Sequence, residues 1–214
     1  MEDKLAHYVS KAMIESWSLL YGCDTPTWQD TDNSIKELAN KIRSYSPEIA
    51  IGIGKAGIYP AYNISEILNT SLDFIYTSRA RIQMRVLRKI SLQTIPFLHN
   101  WWYDTRVRDT EPILIKKYEI NVAGKKVIVV DDIAHSGKSL RFVSGLVKDD
   151  GASEVRTAAL GCIDYEPDYF VKRADLSKKS DWGSLKYIWI PGSKGYKKFE
   201  NSWKKEHPQF YPSY

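Results

Sequence analysis

The chain has 214 residues, 43% hydrophobic and 27% charged, with a formal net charge of +5. That length suits one domain with a modest appendage, and the balance excludes disorder over most of it. No apolar run reaches the roughly 18 residues that span a bilayer, and Met1-Glu-Asp-Lys4 does not open a basic segment followed by an apolar one, so a cytoplasmic protein with an anionic partner is expected.

In chain order, Leu5, Tyr8, Val9, Ala12, Met13, Trp17 and Leu20 recur at helical spacing, which predicts an amphipathic helix over about 4–22. A second helix is expected at 33–45, capped by Asp32 or Asn33, striped by Ile35, Leu38, Ala39 and Ile42, and ended by Pro47. A buried strand follows from Glu48 to Ile53, then a glycine-rich turn, a helix to about Leu68 and a strand from Phe74 to Thr77. From Ser78 to Glu111 no period emerges, and Arg79, Arg81, Arg85, Arg88, Lys89, Arg106 and Arg108 make a basic excursion. Order returns with strands at Pro112–Tyr118 and Lys126–Asp131, a helix from Lys138 to Lys148 and a strand from Val155 to Cys162. Strands alternating with glycine turns and helices predict an α/β fold, a parallel sheet with helices on both faces. The last fifty or so residues, with Tyr187-Ile-Trp-Ile190 and a Lys-rich aromatic tail, read as a small hood within the same domain. The expected division is a core over 1–160, including a lid at about 79–110, and hood plus tail over 161–214. Cys23 and Cys162 stand far apart in no C-x-x-C pair, so neither a disulfide framework nor a zinc site is indicated.

Two segments carry chemistry. Val127-Ile-Val-Val130 delivers Asp131 and Asp132 at the carboxyl end of a central strand, where open parallel sheets bind ligands. His135-Ser-Gly-Lys-Ser139 then leads into a helix, so backbone N–H groups and the helix dipole can hold a phosphate. An acid pair beside a phosphate turn points to a sugar phosphate. Gly137-Lys-Ser139 matches the end of a P-loop, but that loop needs a glycine where Asp132 stands. Gly52-Ile-Gly-Lys-Ala-Gly57 fits a dinucleotide-binding pattern, yet Asp73 sits at the start of the next strand rather than at its end. The favoured reading is a backbone turn approaching an anion, with Lys55 adding charge; a dinucleotide site and a plain tight turn stay open.

Val127 to Ser139 resembles the signature of the type I phosphoribosyltransferases, an apolar strand, two acids and a Thr/Ser-Gly-x-Thr/Ser turn. The resemblance spans roughly 28–195 and is closest to the purine branch, the hypoxanthine, guanine and xanthine enzymes. It implies that Asp131 and Asp132 hold the ribose hydroxyls and help organise magnesium. It further implies that Ile133, Ala134, His135, Ser136, Gly137, Lys138 and Ser139 surround the 5′-phosphate of phosphoribosyl pyrophosphate. Lys55, Ala56 and Gly57 match the pyrophosphate loop, in which the family often has a cis peptide, and Arg79 and Arg81 match the start of a lid that closes on pyrophosphate. Glu166-Pro-Asp-Tyr-Phe170 matches the Pro-Asp-Tyr/Phe that follows the family's last core strand, and Tyr187-Ile-Trp-Ile-Pro191 matches its hood, which implies that Tyr187 stacks on a purine base and Ile188 offers it backbone groups, with ordinary hood core as the alternative for Tyr187 and Trp189.

Three departures bear on the base. His135 stands where 6-oxopurine enzymes carry an aspartate beside N7, and it can contact the base, exchange a proton or simply pack. Gly161-Cys-Ile-Asp164 lacks the lysine that donates to the purine O6, and Pro191-Gly192-Ser193 replaces the hood's Pro-Trp-acid. Without that donor, and with Asp164 or a nearby backbone carbonyl placed to accept from an amino group, the residues favour adenine, giving AMP, over a 6-oxopurine; a solvated Asp164 with another group in place of the lysine is the alternative. A non-catalytic protein binding nucleotide or nucleic acid through the basic excursion and Trp101-Trp-Tyr103 is the other class; Lys55 and the acid pair argue against it. The resemblance and the aromatic first helix imply a homodimer and no membrane partner.

Overall fold

The computed structural model describes residues 26–78, 111–175, 185, 187–189 and 195–211. The helix expected at 4–22, Cys23, the excursion at 79–110 with Arg79 and Arg81, and Trp101 to Tyr103 lie outside the described residues.

Helix α1 runs from Trp28 to Ile42, several residues earlier than Asp32 or Asn33 would start it. The cap is Thr27, whose hydroxyl accepts from Asp30 N while the Asp30 carboxylate accepts from Thr27 N, a reciprocal capping box. Asp32 instead accepts from the Tyr59 hydroxyl at 3.3 Å. The expected stripe of Ile35, Leu38, Ala39 and Ile42 is buried. Strand β1 (Ile49–Gly54), helix α2 (Ile58–Leu68) and strand β2 (Ser71–Ser78) follow, then β3 (Ile113–Lys116), β4 (Lys126–Ala134), helix α3 (Lys138–Asp149), β5 (Glu154–Cys162) and β6 (Tyr169–Arg173).

The strands form one sheet in the order β3-β2-β1-β4-β5-β6, parallel throughout except for β3, which pairs antiparallel with β2 at the edge. Parallel pairing requires crossover connections: helix α2 links β1 to β2 and α3 links β4 to β5, whereas β5 and β6 are joined by residues 163–168 without a helix. On one face α1, α2 and the tail bury Leu38, Ile42, Ile58, Ile64, Ile128 and Val130; on the other, α3 buries Leu140, Val143 and Val147 against Ile51, Val127 and Val129. Strand β4 is therefore apolar on both faces, as a central parallel strand must be.

At the amino ends of β4 and β5, the Tyr45 hydroxyl lies 3.2 Å from Val127 O and 3.0 Å from Glu154 O, with the Arg156 guanidinium over its ring at 4.6 Å. Asp73 closes the return from β3 to β4 by accepting from Glu119 N at 2.7 Å and Ile120 N at 2.9 Å. The tail forms two short helices, α4 (Tyr196–Asn201) and α5 (Trp203–Glu206), and a 3₁₀ turn. Trp203 and Phe210 pack on Tyr59, Tyr62 and Phe74, while the Tyr76 hydroxyl donates to Phe210 O at 2.9 Å. No helix among the described residues is long and apolar enough to cross a membrane.

Candidate active site

Because β1, β4 and β5 run parallel, their carboxyl ends gather at one edge of the sheet, and the turns that leave them become neighbours. The turn after β1 carries Lys55, exposed, then Ala56 and the buried Gly57. Its Gly54–Lys55 peptide bond is cis, the form implied for that loop. A Cβ on Gly57 would stand 2.7 Å from both Ile53 O and Val130 O and 3.1 Å from Asp131 Cα. Only a residue without a side chain lets this turn lie on the backbone that carries the acids.

Strand β4 continues through Asp131, Asp132, Ile133 and Ala134, three residues beyond its expected end. Asp131 is half-buried, whereas Asp132 is only 9% exposed. Asp132 Oδ1 accepts from Ile133 N at 2.7 Å and Oδ2 accepts from the Trp189 indole Nε1 at 3.0 Å. Burial pushes the Asp132 carboxyl above the ordinary carboxylate range, and the N–H donated by Trp189 is the largest influence opposing it.

The turn after β4 holds His135, Ser136 and Gly137 ahead of α3. Gly137 sits at the N-cap with φ +69°, and no side chain caps the helix. Gly57 ahead of α2, at φ −74°, likewise gives no side-chain cap, while α1 has a full capping box. Both helices that begin at the site therefore start on a glycine that contributes no capping side chain, and a helix N-terminus is where backbone N–H groups and the helix dipole can bind phosphate. The Tyr165 ring lies against Gly137, within 2.2 Å of where a Cβ would be, and Arg141 spans Tyr165 at 4.9 Å while donating to Ser136 O at 2.8 Å. Lys138 pairs with Glu111 at 2.8 Å, and Ser139 is buried in the first turn of α3.

The end of β5 is tied to the same turn. Ile163 N donates to Ala134 O, and Asp164 N and Tyr165 N both donate to His135 O, at 3.0, 3.2 and 3.1 Å. Asp164 Oδ2 lies 3.6 Å from His135 Nδ1, so residues from two of the three departures from the purine pattern face each other. Tyr187 and Ile188 stand in the apolar cluster beneath α1 and α2; Tyr187 is 2% exposed and one face of its ring is stacked on Trp189, at 5.2 Å and 20°. The structure thus brings together Lys55, Ala56, Gly57, Asp131, Asp132, His135 to Ser139 and Asp164, with Arg79 and Arg81 outside the described residues. Sequence reasoning did not single out Tyr165, Arg141 or the tie between Trp189 and Asp132. All three act across the fold, and the clue available in advance was an indole near a hood, which when buried needs an acceptor.

Residues 27–183 match the phosphoribosyl transferase domain. The chain belongs to that family. No curated protein sequence matches it. Among solved structures, it is similar to a purine phosphoribosyltransferase from Pyrococcus horikoshii Ot3, at 28% identity over 70% of this chain and 86% of that one, with a TM-score of 0.54. It also shares its fold with a xanthine-guanine-hypoxanthine phosphoribosyltransferase from Helicobacter pylori, at 16% identity over 83% and 98% of the two chains and a TM-score of 0.58. A hypoxanthine phosphoribosyltransferase from Staphylococcus aureus gives 20% identity over 70% and 76%, with a TM-score of 0.50. The six-stranded, mostly parallel sheet is that of the type I phosphoribosyltransferases.

As a phosphoribosyltransferase, the chain offers magnesium a fitting but incomplete donor set. Among the described residues no group of three or more His, Cys, Asp or Glu side chains could hold a metal by itself, and the adjacent carboxylates at the site are those of Asp131 and Asp132. Magnesium is commonly held by one or two carboxylates together with substrate phosphates and water, so a carboxylate pair facing a pyrophosphate suits it.

One test of the phosphate turn follows. Gly137→Ala places a Cβ in the left-handed region, costing about 1–2 kcal/mol, and drives it into the Tyr165 ring. A lowered Tm together with at least about tenfold weaker binding of phosphoribosyl pyrophosphate is expected, by calorimetry. Unchanged affinity would show that this turn does not hold the donor.

Proposed function

We propose that this phosphoribosyltransferase moves the 5-phosphoribosyl group from phosphoribosyl pyrophosphate to a nitrogen of a purine base, releasing pyrophosphate, in cytoplasmic nucleotide salvage. The observation that carries the proposal is the contact of the Gly57 turn with the backbone of Val130 and Asp131, because it sets the Lys55 loop beside the acid pair. The reaction breaks the bond from C1 of the ribose to pyrophosphate and makes a bond from C1 to the base, through a transition state with oxocarbenium character. The Lys55 turn receives the departing pyrophosphate, the uncapped start of α3 anchors the 5′-phosphate, and Asp131 with Asp132 fixes the sugar hydroxyls. Magnesium bound by Asp131 and Asp132 would neutralise charge on the leaving pyrophosphate. Lid residues from 79 to 110, with Arg79 and Arg81, are proposed to exclude water, and Tyr187 with Ile188 to border the base. The working form proposed is a homodimer, about twice the 24.6 kDa chain mass by light scattering.

For the base, the absence of a lysine in Gly161-Cys-Ile-Asp164 favours adenine, whose amino group would donate to Asp164. The 3.6 Å approach of Asp164 to His135 favours a second reading. There the carboxylate orients the imidazole, the imidazole handles the proton at N7, and a 6-oxopurine fits at least as well. The P. horikoshii relative named a purine phosphoribosyltransferase is compatible with either. Pyrophosphate release measured with adenine, hypoxanthine, guanine and xanthine separates the two. Asp164→Ala, which removes the acceptor, is expected to cut adenine turnover by about 10²-fold while sparing the oxopurines under the first reading, and to lower every active base alike under the second. His135→Ala with unchanged kinetics would reduce that residue to packing. No turnover with any base, together with salt-sensitive oligonucleotide binding, would replace the proposal with a binding function.

A further inference from the structure

Trp189 occupies a position where the requirements of the hood and of the sugar site meet. Its ring is 9% exposed, stacked on Tyr187 on one side and flanked by Tyr59 at 5.6 Å and Phe199 at 6.5 Å. An indole N–H is a donor only, and once buried it must find an acceptor. Here the acceptor is the carboxylate of Asp132, 57 residues away along the chain. That carboxylate is itself buried, and its other oxygen is held by the N–H of Ile133. Two donors from different directions fix the plane of the group, while a carboxylate's four acceptor sites leave room for sugar hydroxyls.

We infer that Trp189 is a positioning residue for phosphoribosyl transfer. Its indole N–H holds the Asp132 carboxylate in the orientation that receives the sugar, and its stacking on Tyr187 makes the sugar-holding acid and the inner wall of the hood one mechanical unit. The inference rests on the reading of Asp132 as a ribose-binding residue. Other buried polar contacts behave differently. Tyr59 spends its hydroxyl on Asp32, and Tyr76 spends its own on a tail carbonyl, both away from the acid pair. Among the bonds that the described hood and tail residues make to the core, that of Trp189 is the one that reaches Asp132.

Trp189→Phe keeps a flat ring for the Tyr187 stack and removes the N–H; Trp189→His returns an N–H on a smaller ring. Binding of phosphoribosyl pyrophosphate with magnesium is measured by calorimetry for the wild type, both variants, Asp132→Asn and the double variant Asp132→Asn/Trp189→Phe. The expected result is about tenfold weaker binding for Trp189→Phe, in the range seen when a supporting hydrogen bond to a liganding side chain is lost. Trp189→His should recover part of that loss, and the double variant should bind no more weakly than Asp132→Asn alone, because the indole acts through the carboxylate. Additive losses, or wild-type affinity in a folded Trp189→Phe, would overturn the inference and leave Trp189 as packing. If Trp189→Phe fails to fold, Trp189→His decides: near-native affinity supports the donor role, and a loss as large as that of Asp132→Asn in a folded protein refutes it. Wild-type affinity and turnover in Asp132→Asn would instead remove the ribose reading on which the inference depends.

Discussion

Asp132→Asn should lower kcat/KM for phosphoribosyl pyrophosphate by about 10²- to 10³-fold, the scale seen when one preorganised polar group is removed from a transition state. The structure adds a second expectation, because both oxygens of this buried carboxylate accept an N–H, one from Ile133 and one from Trp189. An asparagine offers one oxygen and one NH₂, so whichever way the amide turns, a donor meets a donor. Leaving one buried donor unsatisfied costs about 1–3 kcal/mol, against which the variant gains by no longer burying a charge. The net prediction is a folded protein with a small change in Tm and a large loss of turnover. Thermal denaturation and steady-state pyrophosphate release distinguish this from general destabilisation, and native turnover would contradict the assignment of Asp132.

Gly57→Ala is the second large effect, and its cause is steric. The new methyl would stand 2.7 Å from two backbone carbonyl oxygens, of Ile53 and Val130, neither of which can rotate away as a side chain would. The Lys55 turn must therefore lift off β4, and a displacement of about 1 Å at a reacting centre is enough for a 10²-fold loss. Overpacking should also cost about 1–3 kcal/mol of stability. Kinetics in the reverse direction, from nucleotide and pyrophosphate, give the sharper readout because the turn is assigned to pyrophosphate: KM for pyrophosphate should rise more than KM for the nucleotide. Equal changes in both would mean that the turn is a structural corner.

What the sequence disclosed depended on whether the signal was local. Val127 to Val130 announced a central strand because an unbroken apolar run is what burial on two faces requires, and the strand is central. Helix α1 starts upstream of Asp32 and Asn33, both cap-forming residue types, because the reciprocal pair Thr27 and Asp30 caps it first. Strand β6 escaped notice because Tyr169-Phe-Val-Lys-Arg173 is short, lies at the sheet edge and is at best half-buried. Around the acids, the types of residue were legible and their contacts were not. Nothing local ties Trp189 to Asp132, Tyr165 to Gly137 or Asp164 to His135; each pair meets only after β4 and β5 have aligned and the hood has folded back.

The cluster around Tyr45 suggests how such a chain can change without collapsing. Tyr45 reaches Val127 O and Glu154 O at the amino ends of the two strands whose carboxyl ends border the proposed site. Val127 and Asp131 are about 13 Å apart along an extended strand. Anchorage and reactivity thus draw on separate residues of the same strands, so selection can rewrite one end while the other stays fixed. His135 and Asp164 lie at the rewritable end. A randomised library should therefore yield variants with new base preference from positions such as these, and few survivors of any kind from substitutions at Tyr45.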